Sequence, residues 1–82
     1  MKLIEAKQLN QEVLKTKYEN FDMVTANLTV QLQKASQIPS YDYSAYMKFA
    51  NDIELYSMQL NEMAAEIQME EILFKKLNSI EE

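Results

Sequence analysis

YMKFANDIELYSMQLNEMAAEIQMEEILFKKL, residues 46–77, decides the fold. Taken alternately at the third and fourth residue, it yields Tyr46, Phe49, Ile53, Tyr56, Leu60, Met63, Ile67, Glu70, Phe74 and Leu77. That is the spacing of a heptad seam, and Glu70 is its only polar member. The stretch reads as one long amphipathic helix that needs an element to lie against.

A second seam precedes it, weaker because Lys7, Gln11 and Thr25 interrupt it: Ile4, Lys7, Gln11, Leu14, Tyr18, Phe21, Thr25, Leu28, Leu32 and Ala35. It predicts a helix over residues 3–36, roughly 50 Å long at ~1.5 Å per residue. Its first ten residues are expected to fray, since no N-cap side chain precedes them. Between the seams lies Ser36-Gln37-Ile38-Pro39-Ser40-Tyr41-Asp42. Pro39 stops the first helix, and Ser40 or Asp42 can cap the second. The reading is a loop over 37–42 and a second helix over 43–78, with Ile38 and Tyr41 packing across the bend. Glu81 and Glu82, at the negative end of the helix dipole, are expected to fray. Two helices of similar length joined by a short loop fold back on each other. The expected fold is therefore all-α, one coiled-coil-like antiparallel hairpin spanning 1–82, completed by oligomerisation or a partner helix. Across this hairpin Glu70 faces Leu9, one turn from Lys7, so a register-setting Lys7–Glu70 contact is expected.

Composition narrows the function. The 82 residues contain no Cys, His or Gly and a single Pro. Disulfides, the usual transition-metal sites, conventional catalytic triads and phosphate-cradling glycine loops are all excluded. Carboxylates a helical turn apart, Glu62 with Glu66 and Glu66 with Glu70, lack the histidines of a helical di-metal site and read as a solvated face. No enzymatic activity and no cofactor is expected. The net charge of −5, with the lysines scattered, argues against nucleic acid and anionic membrane surfaces as ligands. No segment is apolar for long enough to insert in a bilayer. Met1-Lys2-Leu3-Ile4-Glu5-Ala6-Lys7 lacks the apolar core of a secretory signal. The expectation is a cytoplasmic protein, or one exported without a cleaved signal peptide.

The informative feature is apolar surplus. Opposite its seam the second helix carries Leu55, Met58, Glu62, Ala65, Met69 and Ile72, with Leu73 and Ile80 on a flank. The first helix repeats this more faintly with Leu9, Met23 and Val30, and Val13 beside them. A helix in a lone hairpin needs one stripe, and two stripes imply two neighbours. A patch of Leu55, Met58, Met69 and Ile72 amounts to several hundred Å², worth several kcal/mol at ~25 cal/mol/Å². Leu55, Met58, Ala65, Met69 and Ile72 are therefore the expected partner interface. Tyr41 and Tyr43, near Tyr46 at the start of the second helix, are candidates to extend it. The partner is a protein, either a second copy or another helix.

A central Pro39-Ser40 bend, followed by Glu54-Leu55-Tyr56-Ser57 and Asn61 on the second helix, resembles the needle and inner-rod subunits of type III secretion systems. The likeness covers about residues 28–80 and departs where those subunits carry a second Pro in the bend. It implies helical polymerisation. The short helical chaperones of needle subunits are similar to the same degree. The hairpin partners of type VII secretion are a rival likeness, without their Trp-X-Gly at the bend. A different class of function also fits: a small acidic inhibitor, antitoxin or phage-encoded protein that binds one target.

Overall fold

In a computed structural model, which describes residues 2–80, the chain is two helices and the turn between them. Helix α1 is Leu3–Ser36, 34 residues, and α2 is Tyr43–Asn78, 36 residues. They pack antiparallel into a rod of 65 × 16 × 15 Å. Its radius of gyration is 18.6 Å, against about 12 Å for a globule of this length. The expected fraying of Glu81 and Glu82 lies outside the described residues.

The ends of the helices follow from their sequences. Lys2 precedes α1 without a side-chain cap. Asp42 caps α2, its Oδ1 accepting from the Ala45 N–H at 3.3 Å. Between them the Asp42 N–H donates to the Pro39 carbonyl at 2.9 Å. No described residue has positive φ, so the turn is built without any conformation that favours glycine. Ile38 is half-buried in the bend. Tyr41, expected to pack beside it, is instead 86% exposed.

The contact between the helices is thin. Among the described residues the buried apolar side chains are Leu14, Ala35 and Ile67. Around them Phe21 and Leu28 of α1, and Phe49, Ile53, Tyr56, Leu60, Met63 and Leu77 of α2, are half-buried. Two residues of the α2 seam depart from expectation, because Tyr46 and Phe74 are exposed. Phe74 lines an open groove beside Leu14 and Tyr18.

The α1 seam needs a larger correction. Lys7, Leu14, Phe21, Leu28 and Ala35 face α2, whereas Ile4, Gln11, Thr25 and Leu32 are exposed and Tyr18, also exposed, reaches α2 only through its hydroxyl. Their places are taken by Leu3, Asn10, Lys17, Val24 and Gln31 on the other flank of the same stripe. The rotation has a polar cause. Glu70 brings a carboxylate into the seam, which needs a donor, and Asn10 supplies it. Thr25 turns its hydroxyl back to the Phe21 carbonyl at 2.9 Å.

Candidate interaction surface

The chemistry of the rod is concentrated where the start of α1 lies beside the end of α2. Asn10 is only 3% exposed. Its Nδ2 donates to Glu70 twice, to Oε2 at 3.0 Å and to the main-chain carbonyl at 3.2 Å. Asn10, not Lys7, is thus the partner of Glu70. Asn10 Oδ1 is buried without a hydrogen-bond partner. Nearby, Lys17 Nζ reaches Glu66 Oε2 at 3.0 Å, and the Tyr18 hydroxyl donates to Glu71 Oε1 at 2.9 Å. This hydrogen bond holds the Tyr18 pKa above its ordinary value. Partial desolvation and the nearby Glu71 charge push in the same direction.

These links divide the rod into two flanks. On one, Leu14, Tyr18, Glu71 and Phe74 border an open cleft of about 580 Å³. On the other, Leu9, Asn10, Val13, Glu70, Leu73 and Leu77 border a groove of about 280 Å³. The second groove continues outward over Met69, Ile72 and Lys76 and along α1 past Glu12, Thr16, Lys17 and Asn20.

This second flank carries a stripe not singled out from the sequence. At heptad spacing α1 presents Ala6, Leu9, Val13, Thr16, Asn20, Met23, Asn27 and Val30, none of them ionisable. The corresponding stripe of α2 is Leu55, Gln59, Glu62, Glu66, Met69 and Leu73. The signal was present in Leu9, Val13, Met23 and Val30, but the uncharged residues between them were not read as part of it.

The residues expected to meet a partner all lie on the surface. Leu55, Met58, Ala65, Met69 and Ile72 are exposed along α2, Met69 to 71%. Tyr41 and Tyr43 stand exposed at the bend, at the opposite end of the rod from Met69 and Ile72. The structure therefore places the five α2 residues along one helix and the two tyrosines apart at the tip.

The total surface is large for the mass. A folded monomer of 9.6 kDa exposes about 5,100 Å², whereas the hairpin exposes 6489 Å². Among the described residues, no group of three or more Asp or Glu is placed to hold a metal ion. No described helix is long and apolar enough to cross a membrane. Neither protein-family models, nor curated proteins, nor solved structures give a match to this chain.

Proposed function

We propose that the chain is a non-enzymatic helical protein–protein assembly module, acting in a bacterial secretion system as a needle- or rod-like subunit or as the chaperone of one. The observation that supports assembly is the exposed α2 ridge of Leu55, Met58, Ala65, Met69 and Ile72. Ridges of this size are uncommon on monomers, and methionine lets such a surface adapt to its partner. The secretion context rests on the resemblance of the Pro39-Ser40 bend and of the Tyr56 and Asn61 helix to needle subunits.

A second reading, a small acidic inhibitor of one target protein, draws on the exposed acids Asp52, Glu54 and Glu62 of α2. Light scattering across concentration separates the readings. Growth into long polymers supports a needle-like subunit, and a fixed small oligomer supports a chaperone or binding module. A monomer at every concentration argues against self-assembly. Met58→Glu combined with Ile72→Glu is expected to abolish association through that ridge while helicity by circular dichroism stays unchanged. Loss of helicity instead would assign that ridge to the fold itself.

A further inference from the structure

We infer that the groove flank is covered by a second copy of this chain, lying parallel to the first with both bends at the same end. The two copies are related by a two-fold axis along the rod, and each α1 stripe packs on the other copy's α2 stripe. This rests on the assembly reading and goes beyond it, since the pair's flank shares only Leu55 and Met69 with the α2 ridge.

Three observations carry the inference. The first is area. The hairpin exposes roughly 1,400 Å² more than a globular monomer of its mass, and a stable pair needs about 800 Å² from each partner. One neighbour of similar size therefore accounts for much of the surplus.

The second is charge. Each copy carries a net −5, so two copies must meet where like charges do not oppose. The α1 stripe from Ala6 to Val30 has no ionisable group. Lys17 and Glu66 at its border already neutralise each other. An antiparallel pair would set the two acidic α2 stripes against each other. The parallel pair sets each of them against the α1 stripe, where the groove's ionisable groups are one acid, Glu12, and one base, Lys17.

The third is level. The Asn10–Glu70 hydrogen bonds fix which residues of α1 and α2 share a height along the rod. A two-fold axis along the rod preserves those heights between copies. Leu9 and Val13 then meet Met69 and Leu73 of the other copy, apolar on apolar. Thr16 and Asn20 fall level with Glu62 and Glu66, giving those carboxylates neutral hydrogen-bonding neighbours. Met23 falls level with Leu55 and Gln59. The result is a four-helix bundle, the usual solution for helices with a second stripe.

The absence of native cysteine makes the test clean. A nitroxide on Tyr41→Cys, at the exposed tip, reports the distance between the two bends by pulsed electron resonance. Parallel copies place the labels within about 30 Å, a few helix spacings of ~10 Å. Antiparallel copies separate them by nearly the 65 Å length of the rod. Charge supplies the second arm: Thr16→Glu is expected to weaken the pair at least ~10-fold in Kd by facing Glu62 and Glu66, whereas Thr16→Lys tightens it. An associating protein with a long tip distance, growth beyond two copies, or equal responses to Glu and Lys at position 16 overturns the parallel pair and leaves the assembly reading standing. A monomer at all concentrations overturns the pair together with self-assembly.

Discussion

The two ends of the rod are held by different means. At the end away from the bend, Asn10 binds Glu70, Lys17 binds Glu66 and Tyr18 binds Glu71, with Leu14 and Ile67 buried among them. Toward the bend, the side-chain hydrogen bonds found among the described residues stay within one helix or its cap, and Ala35 is the buried side chain. There the chain connection itself keeps the helices together, because a short closed loop confines its ends. The far end has no such tether and would splay without specific links. Covalent proximity and polar pairing thus do the same task at opposite ends.

The largest expected effect comes from attacking the packed end. Ile67→Ala or Leu14→Ala removes a buried side chain and is expected to cost ~2–4 kcal/mol in urea unfolding. The exposed Leu32→Ala, toward the bend, is expected to change stability by no more than about 0.5 kcal/mol. Equal losses at both positions would erase the contrast between the ends. Next in size is Asn10→Ala, which strands the Glu70 carboxylate in the seam and is expected to cost about 1–3 kcal/mol. Hydrogen exchange should then show faster amide exchange along residues 66–77 than around the bend.

The smallest effect is a pH dependence. The Tyr18 pKa is raised above 10.0 in the folded chain. The stability from its bond to Glu71 is therefore complete below the ordinary phenol range and is lost as pH climbs through the raised value. Tyr18→Phe should destabilise slightly at neutral pH, and its difference from the parent should vanish in alkali. A difference that persists unchanged would mean the phenol oxygen contributes nothing as a donor.

Much of the architecture was legible in the residues. Pro39 and Asp42 marked the stop and start of the helices, and the strong α2 seam marked the face toward α1. The α1 face was ambiguous for a physical reason. Lys7, Leu14, Phe21, Leu28 and Ala35 belong to two overlapping seams, one completed by Ile4, Tyr18 and Leu32, the other by Asn10, Lys17 and Val24. Hydrophobicity favours the first. The structure takes the second because a carboxylate at position 70 must find a donor across the interface, a pairwise requirement that no single-helix pattern contains. The uncharged stripe of α1 is hidden for another reason: Thr16, Asn20 and Asn27 carry no hydrophobic signal of their own and gain meaning only from sharing a flank with Leu9, Val13 and Met23.

The Asn10–Glu70 link spans 60 residues of chain, which bears on the order of folding events. Drawing those positions together from an open coil is the longest closure made by the hydrogen bonds between the helices, while each turn zipped outward from Pro39 adds only a short loop. The bend is the natural nucleus although its packing is thin. The polar lock away from the bend engages last, so it acts on the rate at which the hairpin comes undone more than on the rate at which it forms.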